Sequence, residues 1–185
     1  MNRLIDLIFS IVLGLAMFAP AILIACLIIS SSKGPIIHWS KRIGIANKEF
    51  LMPKFRTMYV DTPDIATHLL EDDKYITTVG FYLRKLSLDE IPQLWSIFKG
   101  DMTLVGPRPA LHNQFDLIKL RTKSGVNNLV PGITGWAQIN GRDNISIEDK
   151  ANLDYEYLLR RSLFFDLKII FVTMKHVVGM KNIRH

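Results

Sequence analysis

The chain has 185 residues, 49% of them apolar, with a positive mean hydropathy, a formal net charge of +6 at pH 7 and a pI near 9.5. That length makes one typical domain, or a membrane segment plus one modest domain, and the single cysteine, Cys26, excludes a disulfide framework or thiolate metal cluster within the chain. The basic balance favours anionic partners such as phosphorylated substrates or lipid headgroups.

From Leu7 to Ile29 no residue is charged. As a straight helix this run would extend ~34 Å, enough to cross a bilayer core. It outruns the apolar region of a secretory signal, and no A-x-A-like site follows at Ser30-Ser31-Ser32-Lys33. Pro20 cannot donate to the carbonyl of Ala16 and its ring crowds that group, so the helix should kink or break nearby. The product is either a kinked span or two half-helices that enter and leave on one side. Hydropathy alone favours the span. Arg3 before the run and Lys33, Lys41 and Arg42 after it put basic residues at both ends, so the positive-inside tendency does not separate them. Residues 1–33 are read as a membrane-anchoring helix broken near Pro20, and 34–185 as one further domain.

Ile36–Trp39 and Phe50–Met58 form short strand-like pieces, interrupted by Gly44 and Pro53. Residues 61–74 are polar and loop-like or weakly helical. From Ser87 the helical period is clear: Ile91, Leu94, Trp95 and Phe98 follow i, i+3, i+4, i+7, and Gly100-Asp101 ends the helix. Next come Gly106-Pro107-Arg108-Pro109, a helix from Ala110 to about Lys123, and the glycine-punctuated stretch PGITGWAQINGRD. Two further helical patterns cover Ile147–Arg161 and Leu163–Met180. The last is apolar over most of its circumference, as suits either a buried core helix or one lying in a membrane interface. The fold class is α+β, mainly helical, with few short strands.

Chemistry concentrates at Asp89-Glu90. Ser87-x-x-Glu90 fits a capping box, which would make Glu90 a structural residue. That register leaves Pro92 at the fifth helical position, whereas a helix starting nearer Pro92 leaves both carboxylates at its mouth. There the helix dipole favours an ionised Asp89, and Arg84 and Lys85 reinforce the bias if they fold back. An ionised carboxylate beside cations suits Mg²⁺ binding or attack on phosphorus. Arg108, between two prolines, is a guanidinium on a stiffened turn that loses little entropy in clamping a phosphate. Arg56 adds another phosphate-grade donor. The glycines between Pro131 and Arg142 would let backbone N–H groups approach an anion, without the spacing of a P-loop. The five histidines show no metal-ligand spacing.

Four motifs carry a resemblance: Phe55-Arg56-Thr57-Met58; Arg84-Lys85-x-Ser87-x-Asp89-Glu90-x-Pro92-Gln93-Leu94; Gly100-Asp101-Met102-x-Leu104-Val105-Gly106-Pro107-Arg108-Pro109; and Pro131–Arg142. Together they resemble the bacterial sugar transferase family, the small monotopic phosphoglycosyl transferases of glycoconjugate assembly. The resemblance implies transfer of a sugar 1-phosphate from a UDP-sugar, an N-acetylated hexosamine or deoxy-hexosamine by likeness to short members, to undecaprenyl phosphate. UMP would leave, and Asp89 would carry a covalent phosphosugar intermediate. Glu90 would position Mg²⁺ or assist deprotonation, making Asp89 and Glu90 the metal residues. Arg56 and Arg108 would hold phosphate oxygens, Arg142 would lie near the nucleotide, and Arg84 and Lys85 complete the basic set. The resemblance also implies a re-entrant membrane helix and an active site on the cytoplasmic face of the bacterial inner membrane. Ala19-Pro20 departs from the Ser-Pro that members often carry at the break. The oligomeric state is left open, a homo-oligomer included. Two rival readings use the same residues: a Mg²⁺-dependent membrane phosphohydrolase, and a non-enzymatic scaffold that binds anionic lipid. Nucleic acid is not expected, because the basic residues are dispersed without an aromatic-basic stripe.

Overall fold

The computed structural model describes residues 3–62, 75–141 and 145–178. Arg142 and most of the polar stretch 61–74 therefore lie outside the described residues.

The apolar N-terminal run forms two helices, α1 (Arg3–Ala16) and α2 (Phe18–Ser31), bent by 59°. No single described helix is long and apolar enough to cross a membrane, but the bent pair passes by length and composition. The break falls at Met17 rather than at Pro20 itself. Pro20 then occupies the first turn of α2, where its missing N–H has no intrahelical partner to lose. The carbonyl of Ala16, which Pro20 cannot serve, becomes the last of α1.

α1 is inside out. Its buried residues are Asp6 and Ser10, while Leu4, Ile8, Val12 and Leu15 are exposed. Asp6 accepts from Thr103 Oγ1 at 2.8 Å and from the Leu104 N–H at 3.1 Å, and the Arg3 guanidinium donates to the carbonyls of Ile97 and Phe98 at 2.5 and 2.7 Å. Arg3 is thus a C-terminal cap for the helix Leu94–Lys99 rather than a flanking charge left to solvent. α2 buries Ile24 and Ile28, one turn apart, against Phe55 and Leu83.

β1 (Ile37–Ile43) and β2 (Glu49–Phe55) pair antiparallel, with β4 (Ala110–Leu111) on the other edge of β1; β3 (Thr103–Val105) pairs parallel with β5 (Gly132–Thr134). α3 (Thr78–Lys85) and a 3-10 turn (Leu88–Gln93) lead into α4 (Leu94–Lys99). The expected helix over 110–123 shortens to α5 (Phe115–Lys123), because Ala110 and Leu111 pair with β1. A short α6 (Trp136–Ile139), α7 (Ile147–Arg160) and α8 (Leu163–Val178) follow.

The main core gathers Met52, Ile97, Met102, Val105, Tyr157, Phe165 and Ile169. α8 divides its apolar residues between two faces. Phe165 and Ile169 enter the core, while Phe164, Leu167, Phe171 and Met174 remain exposed on another face.

Candidate active site

Three elements bring the site together. The first is the turn that carries the acids. Ser87 takes a left-handed backbone (φ 55°, ψ 21°) and its side chain makes no capping bond, so the capping box does not form. Pro92 explains the tight 3-10 winding that follows. In an α-helix begun at Ser87 its ring would meet the carbonyl of Leu88, whereas its fixed φ suits a 3-10 turn. Asp89 points inward, 5% exposed, and Glu90 is half-buried on the neighbouring side.

The second element is β2. Phe55 packs among Ile24, Ile28 and Leu83, and strand alternation turns its neighbour Lys54 the other way. Lys54 Nζ lies 3.0 Å from Glu90 Oε1 and 3.7 Å from Asp89 Oδ2. The third is the loop between β3 and β4, from which Arg108 Nη2 reaches the same Glu90 oxygen at 2.9 Å. Arg84, in the last turn of α3, donates from Nε to Thr57 Oγ1 at 2.8 Å and adds positive charge beside Asp89.

These neighbours treat the two acids differently. Burial is the largest influence on Asp89 and raises its carboxyl above the ordinary range, against the pull of Lys54, Arg84 and Arg108; the Glu90 charge adds to the rise. Burial alone would raise Glu90 too, but Lys54 and Arg108 both pair with it and donate to it, holding it well below the usual value. The downward pull expected of the helix start does not prevail: desolvation is the largest influence and sets the direction of the shift. Asp89 Oδ1 is buried and has no hydrogen-bond partner.

Beside the pair lies a cavity of about 240 Å³, walled by Leu13 and Met17 from the helix break, by Glu90 and Arg108, and by Thr173 and His176 of α8. Glu90 lines this space, whereas Asp89 does not.

The other expected site residues distribute unevenly. Arg56 is 5% exposed, and its Nη atoms donate to the carbonyls of Lys33 and Ser32 at 2.6 and 2.7 Å and to Ser32 Oγ at 3.0 Å. Its two Nη atoms fasten the exit of α2, and its Nε is buried without a hydrogen-bond partner. Lys85 is exposed at the end of α3 and is not among the charges acting on Asp89 or Glu90. Gly132 and Gly135 serve close packing against Gly106. A Cβ on Gly132 would stand 2.1 Å from Gly106 N, and one on Gly135 would stand 2.2 Å from Gly106 O. The N–H groups of Gly106 and Gly132 are already spent on Thr134 and Pro107 carbonyls. Lys54 is not among the expected site residues, and its place before Phe55 in a strand is the local signal that points it to the acids. No group of three or more His, Cys, Asp or Glu that could hold a metal occurs among the described residues.

A partnerless carboxylate oxygen ringed by cations, next to a cavity with apolar and cationic walls, is an arrangement suited to moving an anionic group. The comparisons with known proteins give that class its family. A family model described as "Bacterial sugar transferase" matches residues 1–180, and the chain belongs to that family. It is 44% identical to the uncharacterized sugar transferase EpsL of Bacillus subtilis, over 81% of this chain and 73% of that one. It is 37% identical to the undecaprenyl-phosphate glucose phosphotransferase of Komagataeibacter xylinus, over 98% of this chain. It is also 37% identical to the UDP-glucose:undecaprenyl-phosphate glucose-1-phosphate transferase of Escherichia coli, over 94% of this chain. The chain spans only 36% and 40% of the lengths of these last two relatives. By family it is an enzyme of the phosphoglycosyl transferase class.

Proposed function

We propose that the chain transfers a sugar 1-phosphate from a UDP-sugar to undecaprenyl phosphate at the Asp89–Glu90 site, working at the cytoplasmic face of the bacterial inner membrane. The observation that carries this reading is the buried Asp89 carboxylate with its unpartnered Oδ1, set among Lys54, Arg84 and Arg108. Such an oxygen has shed competing hydrogen bonds, and the cations around it favour the approach of a diphosphate.

Asp89 would attack the sugar-bearing phosphorus. A phosphorus–oxygen bond to the uridylyl phosphate breaks, and UMP departs with the bridging oxygen and the bonding electrons. A phosphate oxygen of the acceptor then attacks the same phosphorus, the acyl-phosphate bond breaks, and Asp89 regains its carboxylate. Throughout, Arg108 and Lys54 hold Glu90 ionised, so the acid beside the nucleophile carries a fixed negative charge that is locally balanced.

The donor set suits Mg²⁺ arriving with the substrate. Asp89 and Glu90 offer hard oxygen ligands, yet Lys54, Arg84 and Arg108 already offset their charge, so the diphosphate must supply the remaining attraction. Bound there, Mg²⁺ would neutralise charge on departing UMP, with Asp89 and Glu90 as its protein oxygens.

The inside-out α1 and the exposed apolar faces of α2 and α8 support a lipid-facing surface, with the bent pair re-entering on the side from which it came. The relatives' printed names put glucose beside the N-acetylated hexosamine and deoxy-hexosamine expected above. The test is UMP release by the purified protein in lipid nanodiscs, with Mg²⁺, undecaprenyl phosphate and a panel of UDP-sugars. Donor alone should leave a sugar-phosphate adduct on the peptide bearing Asp89. Turnover with no adduct under those conditions would overturn the covalent route, and an absence of UMP across the panel would overturn the reading itself.

A further inference from the structure

The loop that presents Arg108 can be fastened in few ways. Pro107 and Pro109 have no N–H, so at these residues the loop must be held through its carbonyls. Pro107 O accepts from the Gly132 N–H at 3.0 Å, Pro109 O from Arg42 Nη1 at 3.3 Å, and Arg108 O from Arg121 Nη1 at 2.8 Å. Arg121 is 7% exposed, and its other two donors, Nε and Nη2, both go to Asp154 Oδ2 at 2.9 and 2.5 Å. Asp154, on α7, is 1% exposed. One planar fork therefore ties α7 to the backbone of the residue whose side chain meets Glu90.

We propose that Arg121 and Asp154 are positioning residues for the transfer: held by Asp154, Arg121 fixes the Arg108 backbone and so aims the Arg108 guanidinium at Glu90. The inference rests on the reading of the Asp89–Glu90 site given above. Packing alone does not account for the pair, since replacing a buried ion pair with apolar residues of similar volume is often neutral or stabilising. What apolar residues cannot supply is the third hydrogen bond. A lysine would not supply it either, because one ammonium lacks the flat fork that serves a carboxylate and a carbonyl together.

The test uses the double variant Arg121→Met/Asp154→Leu, which removes both charges and leaves neither buried alone, with Arg121→Lys as the second variant. Both are compared with wild type by thermal melting, by UMP release and by side-chain ¹H–¹⁵N NMR of the Arg108 guanidinium, assigned through Arg108→Lys. The double variant should melt near the wild-type temperature. Its kcat should fall by about 100-fold, the scale of a displacement of about 1 Å in a catalytic clamp, with KM for the donor little changed. The Arg108 Nε–H resonance should shift and broaden in both variants, because the loop backbone no longer aims the guanidinium at Glu90. An Arg108 resonance that stays in place overturns the proposal whatever turnover does. That readout needs no substrate, so failure of the UDP-sugar reading, seen as no wild-type UMP release, remains distinguishable from failure of this one.

Discussion

Lys54→Met tests the electrostatics of the acid pair most directly. Lys54 Nζ lies within 4 Å of both carboxylates, at 3.0 Å from Glu90 and 3.7 Å from Asp89, and it is the largest of the charges that oppose the effect of burial on Asp89. Methionine keeps most of the stem volume and removes the charge. At 3.7 Å and an effective dielectric near 20, the lost attraction is about 4 kcal/mol. At about 1.4 kcal/mol per decade, that sets a ceiling of roughly three decades on the loss of rate at neutral pH. The sign follows from the direction of each shift. Asp89 is already raised and moves further up, while Glu90 loses one of the two cations that hold it low. The acid limb of kcat/KM, which reports ionisation of the nucleophile, must therefore move to higher pH, and the deficit must shrink as the medium becomes alkaline. Lys54→Arg should restore most of the limb. UMP release measured from about pH 5 to about pH 9 reads the outcome. A deficit equal at every pH, or a limb moved downward, would refute the assignment of Lys54 as the charge that keeps Asp89 ionisable.

Asp89→Asn should abolish UMP release while raising the melting temperature at neutral pH. A carboxyl raised on folding opposes the fold when ionised, and that cost fades as pH falls through its folded value. Glu90→Gln should do the reverse: its depressed carboxyl contributes stability above its unfolded value, lost as pH falls through the folded one, so the variant's deficit should vanish in acid. Asp6→Leu strips a buried acceptor from Thr103 Oγ1 and the Leu104 N–H, and should cost about 1–3 kcal/mol by thermal melting; an unchanged melt would mean that α1 is not fastened through Asp6. Phe164→Ser with Phe171→Ser, both on the exposed face of α8, should weaken binding to anionic vesicles by about tenfold or more each, and undiminished flotation would remove that face from the membrane contact.

The helical periods were readable because they are local. α7 ends at Arg160 and α8 starts at Leu163, within a residue of the boundaries expected from the apolar pattern. Asp89, Glu90 and Arg108 could be singled out because a proline, a helix start and a proline-flanked arginine constrain their surroundings within a few positions. What could not be read is how each guanidinium is spent. Arg56 and Arg108 look alike in sequence, yet the Nη atoms of the first go to Ser32 and Lys33 at the exit of α2 and the second meets Glu90. Lys54 joins Glu90 across 36 positions, and Arg121 joins Asp154 across 33. No local pattern encodes such pairings; the sheet and helix packing creates them. Gly132 and Gly135 are ambiguous in sequence for the same reason, since close approach of a distant strand and approach of an anion both demand the absence of a Cβ.

The fastening of α1 gives the bent helix pair a mechanical part in the site. Arg3 holds the final carbonyls of α4, the helix that continues directly from the acid turn, and Asp6 holds β3, the strand that runs directly into the Arg108 loop. Glu90 and the Arg108 that reaches it are thereby tied to one helix, and that helix also contributes Leu13, with Met17 at its break, to the cavity wall. Rotating α1 by a single residue, about 100°, would pull Asp6 off β3 and turn exposed leucines and isoleucines toward polar partners. Its inverted face and its two polar contacts therefore enforce the same orientation. Wherever the apolar outer surface is seated, the mouth of the cavity and the clamp on Glu90 are carried with it as one body.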